Sequence, residues 1–308
     1  MEIAFGPVPS RRLGRSLGIN NIPPKHCSYA CRYCQVGPTP ITEIEPREFY
    51  SPQTIFQAVS QHLQAVQAQG ESVDYLTFVP DGEPTLDSRL SESIAALRPL
   101  GLPIAIISNA SLIWRPQVRT ALQQADWVSL KVDSVDETAW RRINQPYTEL
   151  QLTAILEGIY AFAQSFSGIL VSETMLLEGF NDDLAALKKL AAFLAGCRMQ
   201  RHYLSIPIRL AACHNLRPPG ETSVNNAYQC FVEAGLETEL ITRQEGDTFA
   251  FSGDLQHDIL ATAAVHPLRE SALRKLVTKS GGDMAQVEML INSGQLKVVD
   301  YNQQTFYV

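Results

Sequence analysis

Three cysteines fall within eight residues, at Cys27, Cys31 and Cys34, in the stretch KHCSYACRYCQVG. Thiolates at a C-x3-C-x2-C spacing can hold zinc, form a redox pair, close a disulfide or cradle an iron–sulfur cluster. A structural zinc site takes four ligands, commonly as two C-x2-C pairs. Here one such pair and one extra cysteine stand beside His26, and adjacent residues seldom turn both side chains onto one ion. Cys197, Cys213 and Cys230 are far apart in the chain and read as small core residues. A thioredoxin-like pair usually opens a helix, whereas Arg32 and Tyr33 sit between cysteines in a loop that follows a strand-like segment. Three thiolates also suit a [4Fe–4S] cube with one iron left without a protein ligand, which is a place to bind and activate a small molecule.

The elements that must position this loop alternate. Strand-like segments at 15–21, 73–80, 103–110, 126–134, 168–177 and 202–210 are separated by helix-like segments at 51–70, 87–101, 115–125, 148–166 and 182–196. The first helix illustrates the reading. Ser51 is an N-cap, Pro52 suits the first turn, Ile55, Val59, Leu63 and Val66 make one apolar face, and Gly70 stops it. Strand then helix with short links implies parallel strands and right-handed crossovers, with the working edge at the C-terminal ends of the strands. Six such units are too few for an eight-fold barrel, so a doubly wound sheet and an open partial barrel both stand.

Two other strand ends carry polar groups. Asp81-Gly82-Glu83-Pro84 follows the second strand, where a glycine permits close backbone approach and a carboxylate can receive an ammonium. In the fourth strand Ser129, Lys131 and Asp133 alternate with Val128, Leu130 and Val132, a polar stripe on a strand buried in a parallel array. That stripe is either a buried ion pair or a functional lining.

The chain has 308 residues, 45% hydrophobic and 19% charged, enough for a sizeable core. Its net charge of −7 argues against a sequence-blind nucleic-acid binder. The charge is uneven: Arg11, Arg12, Arg15, Lys25 and Arg32 lie between Ile3 and Thr42 with no acidic residue among them. No apolar run reaches the ~20 residues that cross a bilayer, and the N-terminus has no apolar signal core. A cytoplasmic location without membrane attachment, and with it reduced thiols, is the expectation. The tail differs from the rest. After a linker at 218–223 come a helix at 224–235, short strands at 238–242 and 248–253, helices at 254–265, 269–281 and 283–295, and a hairpin turning at Asn302. Three helices and a hairpin outline a winged-helix-like module. Its third helix has no Lys or Arg, so it reads as a docking or packing module rather than a DNA reader.

With these residues in view, the chain resembles the radical S-adenosylmethionine superfamily, whose hallmark is C-x3-C-x2-C, with an aromatic before the last cysteine, after the first strand of a (βα)6 barrel. Cys27, Cys31, Cys34 and Tyr33 match it. The stretches GPVPSRRLGRSLGIN and VPDGEPTL are similar to the uncharacterised Fe–S oxidoreductase group of that superfamily, related to the wyosine-forming tRNA enzyme, 4-demethylwyosine synthase. The resemblance covers about residues 6–215 and implies a partial (βα)6 barrel over 1–217 with the winged-helix-like extension over 218–308. It implies Cys27, Cys31 and Cys34 as ligands of a [4Fe–4S] cluster, and S-adenosylmethionine bound through Tyr33, Gly82, Glu83, Ser108, Asn109, Ser172 (or its neighbour Glu173) and Ile206. Gly82-Glu83 stands for the family's GGE motif, with Asp81 replacing its first glycine. Lys131 and Asp133 are then candidate catalytic residues, and the reaction is reductive cleavage to a 5′-deoxyadenosyl radical that abstracts hydrogen from a substrate. The resemblance also implies flavodoxin or ferredoxin as reductant. Two alternatives stand beside this reading. One is tRNA modification with tRNA, or another phosphate-bearing substrate, at Arg11, Arg12 and Arg15. The other is a non-catalytic zinc-binding interaction protein using His26 with the three cysteines. The tRNA enzyme carries further N-terminal cysteines, and this chain has none before Cys27.

Overall fold

The computed structural model describes residues 2–208, 211–213, 216–241, 249–264, 267–301 and 304–308. An open eight-stranded sheet runs in chain order. It begins with a hairpin of β1 (Ala4–Ser10) and β2 (Gly14–Ile19). From β2 onward every neighbour is parallel. After α1 (Pro52–Ala68) comes β3 (Tyr75–Phe78), after α2 (Leu90–Leu97) comes β4 (Ile104–Ser108), and after α3 (Pro116–Leu122) comes β5 (Trp127–Lys131). Two helices, α4 (Glu137–Asn144) and α5 (Leu152–Ser165), lead to β6 (Ile169–Met175). Then follow α6 (Leu184–Gly196), β7 (Arg201–Ser205), α7 (Glu221–Glu233) and β8 (Thr238–Ile241). The six expected strands are β2 to β7, with Arg209 and Leu210 outside the described residues.

Alternation along each strand divides its side chains between two layers. Leu76, Phe78, Ile104, Ile106, Val128 and Leu130 are fully enclosed with the helices in the main core. Each contributes roughly 1.5–3 kcal/mol by burial. The α1 stripe joins them, and Ser51 Oγ accepts the Thr54 amide at 3.1 Å as its cap.

Four features depart from the expectation. First, β1 was not anticipated; it carries Pro7 and Pro9, which an edge strand tolerates, and a register shift between Phe5 and Val8 absorbs the irregularity. Second, α4 is an additional short helix, capped by Asp136 Oδ1 on the Ala139 amide at 2.9 Å. Third, α7 and β8 continue the βα alternation, so the sheet runs past residue 217 and the division expected there falls within it. Fourth, Phe249–Gly253 is not a strand, and Thr242 and Thr248 lie outside the described residues.

The remaining elements are α8 (Leu255–Ala263), β9 (Leu268–Arg269), α9 (Glu270–Ser280), α10 (Met284–Asn292), β10 (Val298–Tyr301) and β11 (Gln304–Tyr307). The three strands pair in the order β10-β11-β9, and Asn302, where the hairpin was expected to turn, lies outside the described residues. Ile259, Leu268, Leu273, Leu276, Val287 and Leu290 form a second core, against which Val8 of β1 packs. This layer therefore sits on the N-terminal hairpin, where the Ala250 amide donates to Pro7 O at 3.3 Å, and reaches the segment after α1, where Lys279 pairs with Glu71.

Candidate functional site

The cysteine loop leaves β2 and is tied to three parts of the sheet edge through its backbone. Toward β3, the Lys25 amide donates to Asp81 O at 2.7 Å and the Glu83 amide to His26 O at 2.9 Å. Toward the C-terminal end of α4, the Ala30 amide donates to Asn144 O at 3.1 Å and the Arg32 amide to Ile143 O at 3.0 Å. Beyond β7, the Ala212 amide donates to Cys34 O at 2.8 Å and the Cys213 amide to Arg32 O at 2.9 Å. The close approach at β3 needs glycine: a Cβ at Gly82 would collide with the His26 carbonyl oxygen and lie 3.0 Å from Ile22 Cδ1.

So held, Cys27, Cys31 and Cys34 face a cavity of about 310 Å³ at the C-terminal ends of the strands. Burial and neighbouring acidic groups, other cysteines among them, push the Cys27 thiol well above its ordinary range and Cys31 up to about 12, and burial raises Cys34. A bare trio of such thiols keeps its protons, so it suits a cationic guest that stabilises thiolates. Among the described residues no group of three or more His, Cys, Asp or Glu side chains is gathered for a single metal ion. The corners of a cube present different irons to different thiolates, so its ligands need not meet at one point. His26, the proposed fourth zinc ligand, instead turns Nδ1 to Glu43 and Arg47 and packs its ring on Phe49. The donor set therefore fits a three-thiolate cluster.

Glu83 stands beside the thiols, 1% exposed. Its Oε1 accepts from Thr85 N at 3.1 Å, Thr85 Oγ1 at 2.6 Å and Ser108 Oγ at 2.8 Å; its Oε2 accepts from the Asn109 amide at 2.7 Å. Burial still raises its pKa against these donors, so a carboxylate here gains from a cationic ligand. Ser108 and Asn109 both line the cavity, and Asn109 Nδ2 reaches Cys27 Sγ at 3.5 Å.

Lys131 lines the same cavity, with Nζ 3.1 Å from Glu173 Oε1 and 4.6 Å from the centre of the Tyr33 ring. Arg12, from the β1–β2 turn, pairs with Glu173 from the other side. Burial alone would raise the Glu173 carboxyl, but Lys131 and Arg12 outweigh it and hold it well below the usual carboxylate range. Burial likewise works against the Lys131 charge, and Glu173 and Asp133 leave it raised.

The sequence-derived residues do not all converge. Tyr33, Gly82, Glu83, Ser108, Asn109 and Lys131 share the cavity with the cysteines. Asp133 stands behind it, where its Oδ1 accepts the Met175 amide at 2.8 Å and its Oδ2 accepts from Asn144 Nδ2 at 2.7 Å and from the Tyr33 hydroxyl. Ser172 faces the opposite side of β6, with its Oγ 2.9 Å from His202 Nδ1; the alternation of β6 presents Glu173 and Met175 to the cavity instead. Ile206 packs against the main core and is not among the cavity's lining residues. Nor do the three arginines share one patch. Arg12 enters the cavity, whereas Arg15 is engaged outside by Glu71 and by Ser72 O at 2.7 Å. Arg11 belongs to the intervening turn. Of the two candidates in this strand, Ser172 and Glu173, the cavity takes Glu173. Arg12 and Asn144 carried no signal in the sequence, since they depend on β1 and α4.

A family model described as the radical SAM superfamily matches residues 21–191. A UPF0026 protein of Methanocaldococcus jannaschii is 45% identical over 310 residues, covering 100% of this chain and 96% of its own. A UPF0026 protein of Helicobacter pylori strain 26695 is 39% identical over 207 residues, covering 66% of this chain and 65% of its own. Among solved structures, a radical SAM methyltransferase from Sphaerobacter thermophilus has a TM-score of 0.56 at 12% identity, covering 74% of this chain and 67% of that one. SuiB of Streptococcus suis, bound to S-adenosylmethionine, has a TM-score of 0.53 at 12% identity, covering 72% and 49%. At such identity these two speak for the fold alone. No described helix is long and apolar enough to cross a membrane. The family match over more than half the chain, the near full-length relative and the three thiols gathered at the strand ends agree: this chain belongs to the radical SAM superfamily.

Proposed function

We propose that the protein is a radical S-adenosylmethionine enzyme in which Cys27, Cys31 and Cys34 hold a [4Fe–4S] cluster and the adjoining cavity holds the cofactor. The observation that carries this reading is one cavity lined by three thiols and by the buried carboxylate of Glu83. When bound, the cluster and S-adenosylmethionine supply a one-electron cleavage of the sulfonium, giving methionine and a 5′-deoxyadenosyl radical for hydrogen abstraction from a substrate.

The chain's own residues supply binding and shielding. Glu83, fixed by four donors, offers a preorganised anion to the cofactor's ammonium. Gly82 keeps that strand end clear of side chain. Ser108 and Asn109 present polar groups for ribose hydroxyls, although Ser108 already donates to Glu83. Lys131 places a cation in the lumen for a carboxylate of cofactor or substrate. Asp133 supports the loop through Tyr33 and Asn144. Tyr33 and Met175 give the cavity apolar walls, which restrict water around a reactive intermediate. A one-electron donor of the flavodoxin or ferredoxin kind would reduce the cluster. Anaerobic reconstitution tests the reading: a brown protein with about four irons per chain supports it, and a colourless chain with a single zinc refutes it.

A further inference from the structure

Asn144, the last residue of α4, is a buried carboxamide whose two ends are served unequally. Its Nδ2 donates to Asp133 Oδ2 at 2.7 Å and points to Cys31 Sγ 3.4 Å away, with the Tyr33 hydroxyl at 3.3 Å. Its Oδ1 is enclosed and has no hydrogen-bond partner among the described residues. An unmet buried acceptor costs about 1–3 kcal/mol. Turning the carboxamide over would set Oδ1 against the Asp133 carboxylate and lose the Nδ2 donation, so Asp133 decides which end meets the sulfur. Asp133 is itself fixed by the Met175 amide at 2.8 Å. The backbone bonds from Ala30 and Arg32 to the end of α4 hold Asn144 and Cys31 in register. The arrangement thus tolerates an orphaned oxygen while keeping an N–H directed at one particular cysteine.

Hydrogen bonds to cluster sulfurs are among the levers that set a cluster's reduction potential. A donor beside a thiolate offsets negative charge, so it favours the reduced, more negative state. We infer that Asn144, oriented by Asp133, is a positioning residue that raises the reduction potential of the cluster through an N–H···S bond to Cys31. The inference rests on the cluster reading above. Asn109 approaches Cys27 in the same way but also lines the cofactor cavity. Asn144 is absent from that lining, so its effect on the cluster is separable from cofactor binding.

The test is a redox titration of the reconstituted protein, read by electron paramagnetic resonance without S-adenosylmethionine. At the potential where the native cluster is half reduced, Asn144→Ala is expected to carry native iron and show a reduced-to-oxidised ratio about tenfold lower, a shift of about 59 mV for a one-electron couple. Asn144→Ala with full iron and a native ratio overturns the inference and leaves the cluster reading standing. A native chain that takes up no iron overturns both. If Asn144→Ala fails to load, Asn109→Ser protein labelled with [15N]asparagine reads Asn144 directly. A 15N coupling to the reduced cluster is expected, and its absence overturns the inference.

Discussion

Gly82 and His26 run side by side so closely that a Cβ at Gly82 would strike the His26 carbonyl oxygen. The Glu83 amide donates to that same oxygen at 2.9 Å, so the contact also seats the carboxylate beside the cysteine loop. One glycine therefore sets the distance between the loop and the strand end that carries Glu83.

Gly82→Ala is expected to destabilise the chain by roughly 1–3 kcal/mol, because the obstacle is backbone and cannot rotate away. It should also lower iron uptake, since the loop must move. Thermal unfolding of the metal-free chain and iron content after reconstitution check both. Native values for the two would show that the approach is not required.

Glu83→Gln keeps the shape but removes the charge, and an amide has one acceptor oxygen where the carboxylate has two serving four donors. A charged hydrogen bond is worth about 1.5–3 kcal/mol, which corresponds to a weakening of S-adenosylmethionine binding by roughly 10- to 100-fold. Equilibrium dialysis against the reconstituted protein measures this. Native affinity in a folded, iron-loaded Glu83→Gln protein would remove Glu83 from cofactor binding.

Glu173 stands between Arg12 and Lys131 in the cavity. Glu173→Leu strips both buried cations of that partner and is expected to cost about 3–5 kcal/mol. Adding Lys131→Met should recover part of the loss. The sign with pH follows from its lowered folded pKa: the stabilisation is present above the ordinary carboxylate pKa and is lost as pH falls toward the folded value. Denaturant midpoints should fall in acid more steeply for the native chain than for Glu173→Leu.

His202 is fully enclosed, with Nδ1 on Ser172 and Nε2 without a partner among the described residues, and burial pulls its pKa from 6.5 down to about 3. Between these values the unfolded chain binds a proton that the folded chain refuses, so stability falls as pH drops below 6.5. The slope approaches about 1.4 kcal/mol per pH unit. Urea unfolding from pH 7 to 5 should reveal it, and His202→Leu should lose that part of the slope. An equal slope in both would place the proton elsewhere.

The long alternating segments were legible because six strands and their helices repeat period two against period 3.6, and the cysteine spacing with Gly82-Glu83 marked where the loop meets the sheet. The rest was hidden for local reasons. Pro7 and Pro9 masked β1, an edge strand that can carry proline, and with it the route that brings Arg12 inside. The eight residues of α4 are too few to show a clear period, so Asn144 went unseen. Asp133 was read as part of a polar stripe, but the strand ends at Lys131 and the chain turns Asp133 behind the cavity. Ser172 and Glu173 were both candidates in their strand, and the cavity takes Glu173.

The most direct test mixes the reconstituted chain with S-adenosylmethionine and dithionite under anaerobic conditions and follows nucleoside release. The account predicts 5′-deoxyadenosine and methionine from the native chain and from Cys197→Ala and Cys230→Ala, whose buried cysteines lie outside the cavity. It predicts neither product from Cys27→Ala, Cys31→Ala or Cys34→Ala. A native chain that binds about four irons yet releases no 5′-deoxyadenosine, or releases it equally without Cys31, would contradict the account.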